Sequence, residues 1–498
     1  MRASKSFKTD DHPFTNSSGK SGIPLSFFIR FSDGTGYPFL HRLFDPKKGI
    51  PVIVILGGGP AGRIASIRLA SAGKDVRLIE QGGVSAGIGG QCLHFGCMPV
   101  CALNDVARFL DMAKRFEGLG LTGPAPQPDF PRVLREMQAV QAKIAVILDH
   151  ETRGAGVDII YGKAGRLDGK IVWLDEERIV PDAVIVATGS RSNIPPVAGI
   201  IMPGVFTPRT LGQMKALPAH IVIIGGAVMA AEYAYIFSRF GSRVTVISRS
   251  TFLKSVDPAL RAEAIKELSG VTILEHADLR SISGEGRVSS VMVKIGGAAQ
   301  EIPCNAVFVA AGLVPRSDMI IGVNKGLSGE VIVNEYMETS VPGVYAGGDV
   351  TGPPYLTPVA RHQGIVAADN ILGKRHAMDL PTIPQAIYLE NELAYALDGS
   401  GTAKPLSIPG PAGPDTFWSV LSSRTGFAKI LVEADGSISG IVSASPGGGL
   451  IAAYMAFLMK HHLSVHDFEE FIEVHPTTDG VYGLAKYASE ILKKKSGS

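Results

Sequence analysis

A strand, a glycine-rich turn, a helix and a second strand follow one another from residue 51, and this succession constrains the fold more than any other feature. The apolar run 51–56 is typical of a parallel strand that is buried on both faces. Gly57, Gly59 and Gly62 form a G-x-G-x-x-G pattern between this strand and the helix, and the second strand ends in Glu80. An acid at that place can bind a ribose hydroxyl, so the unit predicts a dinucleotide site.

A second unit of the same order begins at residue 221, but its turn differs from the first. Gly225, Ala227 and Ala230 occupy the three fingerprint positions. Ala230 stands where only helix–sheet packing is required, whereas Ala227 adds a methyl group where the backbone must approach a pyrophosphate. The second strand ends in Ser248 and Arg249 instead of an acid, which favours a 2′-phosphate and hence NADP over NAD. The alternative for Arg249 is an ordinary surface arginine.

Three of the four cysteines lie within ten residues, directly after the first nucleotide unit. Cys92 and Cys97 are separated by four residues, and thiols this close can form a small, accessible disulfide of the labile, catalytic kind. Pro99 suits the first turn of a helix, which would place Cys97 at a helix N-terminus, where a thiolate is favoured. A metal-ligand cluster, or three buried apolar cysteines including Cys101, is the alternative that these residues leave open.

Later segments are expected to add strands to the first sheet and then to form a separate domain. A buried strand ends in a glycine turn near residue 189, and another such strand precedes Asp349. Asp349 could bind polyol hydroxyls of a cofactor, although a turn residue is the simpler interpretation. From residue 383 alternating strands and two helical stretches predict an α+β domain of about 115 residues.

Composition narrows the class of protein. A chain of 498 residues is expected to form about two to four domains. The net charge of +2 provides no electrostatic reason to expect nucleic acid or an anionic membrane. Clustered cysteines fit a reducing compartment, so a cytoplasmic protein is expected, and no apolar run is long enough to span a bilayer. Residues 1–49 are interpreted as a dispensable arm, with a targeting extension or an over-long start as alternatives.

Taken together, these motifs resemble the pyridine nucleotide–disulfide oxidoreductases, a family that includes dihydrolipoamide dehydrogenase, glutathione reductase and mercuric reductase. The resemblance runs from about residue 50 to residue 490 in collinear order. It rests on the two nucleotide units, the C-x4-C pair and five further motifs. Those motifs lie at residues 187–189, 345–349, 356–360, 383–394 and 475–477.

The resemblance implies an α/β fold with two Rossmann-like domains, for FAD and NAD(P), and a C-terminal α+β dimerisation domain. The FAD domain is expected to comprise 50–195, with the redox cysteines, and a return segment, 314–382. The NAD(P) domain is expected at 196–313, the dimerisation domain at 383–490, and a tail at 491–498.

The resemblance also implies a path for electrons. NAD(P)H would reduce the flavin, which would reduce a Cys92–Cys97 disulfide, with Cys97 facing the flavin and Cys92 exchanging with substrate. His475, contributed by the other subunit of a homodimer, would hold and return the proton. No bound metal is implied.

The residues expected to bind the two cofactors share positions in or beside the glycine turns and strand ends. They are Gly57, Gly59, Pro60, Ala61, Gly62, Glu80, Gly90, Gln91, Ala187, Thr188, Gly189, Gly348 and Asp349 for FAD, and Gly225, Ala227, Ala230, Ser248, Arg249 and Gly312 for NADP or NAD.

Three departures from the family pattern bear on the mechanism. Cys101 stands where the family has a lysine that pairs with the glutamate matching Glu232, so Cys101 is either a third redox thiol or an uncharged filler. The glutamate that orients the histidine is expected at residue 480, where this chain has glycine, and Asp479 is the candidate replacement. Ala227 resembles the mercuric reductase branch, but the terminal cysteine pair of that branch is absent from residues 493–498.

The expected function is therefore an FAD-dependent, homodimeric oxidoreductase that acts on a dithiol or disulfide substrate, most similar to dihydrolipoamide dehydrogenase. One alternative is a flavin-centred diaphorase, or a quinone or mercuric-ion reductase, in which the cysteines are secondary. A second alternative is a flavoprotein component of a larger assembly with little turnover of its own. Cys101, Ala227 and Gly480 favour this second alternative, because catalysis usually constrains those positions.

Overall fold

The structure is a computed structural model. It describes residues 52–83, 87–121, 123, 126–380, 382–399, 404–408, 417, 420–421, 424–473, 475 and 479–496. The predicted N-terminal arm, residues 1–49, lies outside this described part.

Strands and helices alternate along most of the described chain, and they are numbered here in chain order. The strands are β1 (Val52–Leu56), β2 (Asp75–Glu80), β3 (Asp158–Tyr161), β4 (Gly165–Asp168), β5 (Ile171–Leu174), β6 (Glu177–Ile179), β7 (Ala183–Val186), β8 (Ser190–Ser192), β9 (Val205–Phe206), β10 (His220–Ile224), β11 (Arg243–Ile247), β12 (Thr272–Leu274), β13 (Ala277–Ser283), β14 (Ser290–Ile295), β15 (Ala298–Pro303), β16 (Ala306–Val309), β17 (Leu313–Pro315), β18 (Ile320–Ile321), β19 (Val344–Ala346), β20 (Gln385–Tyr388), β21 (Glu392–Leu397), β22 (Lys404–Ile408), β23 (Phe427–Val432) and β24 (Ile438–Ser445). The α-helices are α1 (Pro60–Ser71), α2 (Gly90–His94), α3 (Cys97–Glu117), α4 (Phe130–Gly154), α5 (Val228–Phe240), α6 (Pro258–Glu267), α7 (Thr357–Ile371), α8 (Gly448–Lys460) and α9 (Asp479–Ser496).

The first parallel sheet has the strand order β19-β7-β1-β2-β3. Its central strand consists of β-branched and leucine side chains, and Val54 and Ile55 are fully buried because helices or other strands cover both faces. Helices α1 and α7 pack against each other over this sheet. The segment that contains β19 and α7 comes from far along the chain, so the first sheet is completed by the return segment. This arrangement brings the glycine turn after β1 and the turn after β19 to the same edge.

The second parallel sheet has the order β12-β11-β10-β16-β9, and β13, β14 and β15 form a separate antiparallel sheet that packs against it. Helix α5 covers it with an aromatic cluster, in which the ring centroids of Tyr233 and Phe308 lie 4.4 Å apart. Phe237 contacts both rings and is fully buried. The burial of these rings fixes α5 against the second sheet, so the start of this helix lies beside the second glycine turn.

The C-terminal part is an antiparallel sheet of order β20-β21-β24-β23-β22, covered by α8 and α9. Helix α9 reaches Ser496, so most of the predicted tail 491–498 is helical. The fold class predicted from the sequence is confirmed: the structure is α/β, with two parallel sheets and a C-terminal α+β part. The limits of the individual domains stay a prediction. Across the described helices, none is both long and apolar enough to cross a membrane.

Glu267, at the end of α6, joins the second sheet's layer to the C-terminal part. Its side chain is 3% exposed. Its Oε2 accepts the backbone N–H groups of Glu390 and Asn391 at 3.0 and 3.2 Å, and its Oε1 accepts Nδ2 of Asn391 at 2.8 Å. Burial of the carboxyl raises the pKa of Glu267 to about 8, although these hydrogen bonds favour its charged form.

This raised pKa predicts a pH dependence of stability. In the folded chain Glu267 keeps a proton that the unfolded chain releases above its ordinary value of 4.5. The stabilising contribution is therefore full below pH 4.5 and is lost as the pH rises through about 8. Glu267→Gln is expected to flatten the decline in the free energy of unfolding across this window, measured by urea denaturation. Replacing the exposed Glu285 by glutamine is the control; an equal flattening there would contradict the assignment.

Candidate active site

A cleft of about 1730 Å³ lies where the carboxyl edges of both parallel sheets meet α3, α7 and β20. Such clefts beside the strand ends of open α/β sheets are the usual places for cofactors. Most of the candidate residues line it. Apart from Asp479, whose side chain is not described, six candidates lie outside its wall: Gly62, Gly225, Ala230, Ser248, Arg249 and His475. The residues brought together are Gly57, Gly59, Pro60, Ala61, Glu80, Gly90, Gln91, Cys92, Cys97, Cys101, Ala187, Thr188, Gly189, Ala227, Glu232, Gly312, Gly348 and Asp349.

At two of its glycines, the turn between β1 and α1 leaves no room for a side chain. A Cβ atom on Gly57, whose φ is +108°, would lie 2.3 Å from the carbonyl oxygen of Ala187. A Cβ on Gly62 would lie 2.0 Å from the carbonyl oxygen of Gly57. At Gly59, by contrast, the nearest atom to a Cβ would be Cα of Gly90 at 3.9 Å, so this position is open toward the cleft. The turn thus presents bare backbone at the N-terminus of α1, where phosphate groups bind well.

Glu80 supports this turn from the end of β2. Its Oε2 accepts the backbone N–H of Gly58 at 2.7 Å, and its Oε1 accepts the N–H of Gly82 at 2.8 Å. The carboxylate therefore orients the glycine turn and also lines the cleft. The sequence predicts only a contact of Glu80 with a ribose; the two backbone contacts give the same carboxylate a structural role as well.

Asp349 follows β19 on the opposite side of the same edge. Its Oδ2 accepts the hydroxyl of Ser190 at 2.6 Å, and burial raises the pKa of its carboxyl. The neighbouring N–H of Gly348 donates to Oε1 of Gln363 at 2.7 Å, which fixes the turn against α7. Neither Ser190 nor Gln363 was singled out from the sequence, because an isolated serine and glutamine carry no recognisable spacing.

The cysteine pair lies at the start of two helices. Cys97 is the first residue of α3, and its Sγ lies 3.6 Å from Oγ1 of Thr357, the first residue of α7. Cys92 belongs to the short helix α2, and both cysteines are free thiols here. A hydrogen bond between the two thiols lowers the pKa of Cys92, with Thr357 and Arg361 contributing.

The same hydrogen bond acts in the opposite direction on the other thiol. It raises the pKa of Cys97, although Cys97 is an exposed residue. A hydrogen-bonded pair of this kind favours one thiolate beside one thiol, which is the state that nucleophilic thiol exchange requires. Thr357 and Arg361 were not assigned to the pair from the sequence, since they follow it by more than 250 residues.

Cys101 lies one helical turn after Cys97 in α3 and lines the same cleft. Burial is the main reason that the pKa of Cys101 is raised to about 11. Its thiol is thus protonated at neutral pH and is a poor nucleophile compared with Cys92. Over the described residues, no group of three or more His, Cys, Asp or Glu side chains is arranged to hold a metal ion.

Two buried polar atoms in the cleft wall have no hydrogen-bond partner in the described part of the chain. They are Oε1 of Gln91 and the hydroxyl of Tyr233. Buried polar atoms in native proteins are normally satisfied, so these two point to a polar ligand in the cleft. Together with the bare glycine turn and Asp349, they fit a dinucleotide such as FAD.

The second nucleotide turn lies at the start of α5. Gly225 has a φ of +149°, and a Cβ there would lie 2.2 Å from the carbonyl oxygen of Ala310. Ser248 is buried under Gly226, and its hydroxyl donates to the carbonyl oxygen of Ser250 at 2.8 Å. The side chain of Arg249 is exposed beside it, so Arg249 is the one of the two strand-end residues that can reach a bound phosphate.

The predicted histidine, His475, does not join the thiols in the cleft of its own chain. His475 is exposed and is not among the residues that line the cleft. Asp479 begins α9, but its side chain lies outside the described residues, so the predicted contact between the two stays a prediction.

Comparison with known proteins agrees with this geometry. Residues 51–364 match the family described as pyridine nucleotide-disulphide oxidoreductase. Mercuric reductase from Staphylococcus aureus is 27% identical over 442 residues, which cover 84% of this chain and 78% of that protein. Dihydrolipoyl dehydrogenase from Bacillus subtilis is 28% identical over 446 residues, which cover 85% of this chain and 95% of that protein.

A solved structure shows the same fold. The HOCl-induced flavoprotein disulfide reductase RclA from Escherichia coli superimposes with a TM-score of 0.76 at 22% identity, over 88% of this chain and 99% of that chain. The Cu(II) complex of the same reductase gives a TM-score of 0.75 at 23% identity, over 87% of this chain and 98% of that chain. The chain belongs to the pyridine nucleotide-disulphide oxidoreductase family, a family of flavoprotein oxidoreductases that use FAD and NAD(P).

Proposed function

We propose that this protein passes electrons between NAD(P)H and a dithiol or disulfide substrate through a Cys92–Cys97 redox pair, as a dihydrolipoyl dehydrogenase-like enzyme. The observation that carries the proposal is the position of both thiols, at the starts of α2 and α3, in the wall of a dinucleotide cleft. A thiolate at neutral pH attacks a disulfide substrate, and its partner thiol then closes the protein disulfide and releases the reduced substrate.

The two thiols have different surroundings, and this supports a division of labour. Cys97 contacts Thr357 at the start of α7, beside the turn of Asp349, whereas Cys92 belongs to the separate short helix α2. We assign substrate exchange to Cys92 and electron uptake to Cys97. FAD, when bound, would accept a hydride from NAD(P)H and supply two electrons to the disulfide. The glycine turn, Glu80 and Asp349 would hold it, with 50–195 and 314–382 as its domain and 196–313 as the NAD(P) domain.

A second copy of the chain completes the proposed site. His475 does not line the cleft of its own chain, and the C-terminal part exposes apolar side chains such as Leu450 (79%) and Ile472 (91%). We assign these to a homodimer interface built by residues 383–490, through which His475 would serve the partner's thiols as the proton acceptor. A reducing, cytoplasmic compartment suits a thiol pair that must cycle.

Arg249 is proposed to select NADPH over NADH. Arg249→Ala is expected to raise KM for NADPH about tenfold, which corresponds to the loss of about 1.4 kcal/mol of binding. KM for NADH is expected to stay nearly unchanged, because NADH lacks the 2′-phosphate. Steady-state kinetics with both cofactors measures this split. Arg243→Ala, at the opposite end of β11, is the matched control; an equal change for both cofactors in Arg249→Ala would contradict the assignment.

Reduction of a metal ion or a quinone is the second candidate function. It is favoured by the third thiol, Cys101, in the cleft and by the mercuric reductases among the relatives. Turnover of quinones or mercuric ion without turnover of lipoamide or any other disulfide would select it. A protein that NADH and NADPH both fail to reduce would instead support a flavoprotein component of a larger assembly.

A further inference from the structure

Arg361 is an exposed cation on α7, one helical turn after the residue that contacts the thiol pair. That residue is Thr357, whose Oγ1 lies 3.6 Å from Sγ of Cys97. Residues four apart in a helix share one face, with Cβ atoms about 6 Å from each other. Thr357 lines the cofactor cleft, but Arg361 does not. The guanidinium therefore lies at the rim of the cleft, near the thiols and open to solvent.

The charge of Arg361 is not compensated within the described part of the chain, where no acidic side chain forms an ion pair with it. The acid within α7 itself is Asp369, about two helical turns further on. Asp369 is 4% exposed, accepts Nε of Arg68 at 2.7 Å and lies 3.0 Å from Nδ1 of His376. Because the fold already satisfies this carboxylate, the guanidinium of Arg361 remains available to a ligand.

Helix ends add to the positive field around the thiol pair. Cys97 is the first residue of α3 and Thr357 is the first residue of α7, so the positive N-terminal ends of both helices meet there. The hydrogen bond with Cys97 is the main cause that lowers the pKa of Cys92, and the charge of Arg361 contributes to the same shift. An anionic group that approaches the thiols is therefore attracted.

We propose that Arg361 selects disulfide substrates that carry a carboxylate or another anionic group near the reacting sulfur. The proposal rests on the proposed function, because it names the class of disulfide that the Cys92–Cys97 pair accepts. The guanidinium would bind the anionic group while the exchanging thiolate attacks the nearer sulfur.

The guanidinium takes part in no bond exchange and keeps its protons throughout. The exchanging thiolate forms an S–S bond with one substrate sulfur, and the other substrate sulfur leaves as a thiolate. The second protein thiol, as its thiolate, then attacks the exchanging sulfur, closes the protein disulfide and releases the first substrate sulfur. Two electrons pass from the protein dithiol to the substrate, and Arg361 only determines which substrate is held in place.

Paired alkylation tests the preference for anions without any turnover of the flavin. The reduced full-length protein is treated with iodoacetate or with iodoacetamide, which differ in a carboxylate against a neutral amide. Both reagents attack the same thiolate, so the ratio of their rates does not depend on the pKa of the thiol. Arg361→Ala is expected to lower the iodoacetate-to-iodoacetamide ratio about fivefold, and Arg361→Glu further, with smaller effects at high salt. Fragment-ion mass spectrometry locates the label.

Arg375→Ala is the matched control for the alkylation experiment. Arg375 is exposed in the loop after α7, at the end of the helix opposite Thr357, so the same charge is removed far from the thiols. Its alkylation ratio is expected to stay at the wild-type value. An unchanged ratio in both Arg361→Ala and Arg361→Glu, or an equal fall in Arg375→Ala, would overturn the proposal.

Steady-state turnover of lipoate and lipoamide tests the class of substrate. The two molecules share the same dithiolane ring and differ in a carboxylate against an amide. Arg361→Ala is expected to lower the lipoate-to-lipoamide ratio of kcat/KM about fivefold. An equal loss with both substrates would overturn the assignment. If neither disulfide is reduced but the alkylation ratio falls as expected, the proposed function fails and the anion preference of the thiol site stands.

Discussion

Cys92→Ser and Cys97→Ser are each expected to lower the rate of disulfide reduction by at least about 1000-fold, the scale on which removal of a nucleophile acts. The reason is that a serine hydroxyl neither ionises near pH 7 nor forms a disulfide, so neither variant can complete thiol exchange. FAD binding is expected to persist, because these substitutions leave the glycine turn and Asp349 unchanged. Steady-state turnover of lipoamide by NADPH and NADH, with flavin content from the visible spectrum, measures both effects.

Cys304→Ser is the matched control for these two variants. Cys304 is 4% exposed, packs in the core of the second sheet's layer and does not line the cleft. Turnover by this variant is expected to stay at the wild-type level. Full lipoamide turnover by Cys92→Ser and Cys97→Ser would contradict the redox pair. Loss of disulfide turnover with wild-type quinone turnover would show that the cofactors work and that only the thiols have been disabled.

Gly59→Ala is expected to raise the dissociation constant of FAD at least about tenfold, a loss of about 1.4 kcal/mol or more. The backbone of Gly59, with φ −70° and ψ −177°, suits alanine, and the new Cβ would meet only Cα of Gly90 at 3.9 Å. The methyl group thus fits the fold but projects where the pyrophosphate must approach the backbone. Titration of the apoprotein with FAD, followed by flavin fluorescence, measures the change.

Gly62→Ala separates this effect from damage to the fold. Its Cβ would lie 2.0 Å from the carbonyl oxygen of Gly57, so the turn itself must move. The melting temperature of the apoprotein is therefore expected to fall in Gly62→Ala and to stay the same in Gly59→Ala. Wild-type affinity for FAD in Gly59→Ala would show that the cofactor does not approach α1 through this turn.

The fold could be predicted from the sequence where local pattern and tertiary position agree. The glycines at 57 and 225 have positive φ values and no space for a side chain. Only glycine meets this requirement, so both turns are recognisable in the sequence as G-x-G-x-x-G or its variant. The apolar runs before them are the central strands of the two parallel sheets. The last helix was less predictable, because the lysine-rich run after residue 490 is polar enough to resemble a tail, yet α9 continues to Ser496.

The candidate site could be predicted only in part, because its geometry depends on segments that are distant in sequence. Thr357 contacts Cys97 and Ser190 contacts Asp349, but nothing in the neighbourhood of either residue marks it. The missing partner of Glu232 was visible from the resemblance. The burial of its carboxyl and the contact of that carboxyl with the backbone of Tyr388 were not visible from the sequence.

Anaerobic titration with NADPH, and in parallel with NADH, tests the central claim most directly. The chain has four cysteines, and two of them form the proposed disulfide, so the oxidised protein should show 4 − 2 = 2 thiols after denaturation. The reduced nucleotide is expected to bleach the flavin, and the thiol count is expected to rise from two to four, with the rise absent in Cys97→Ser. A flavin that is bleached while the thiol count stays constant would contradict a path through Cys92 and Cys97.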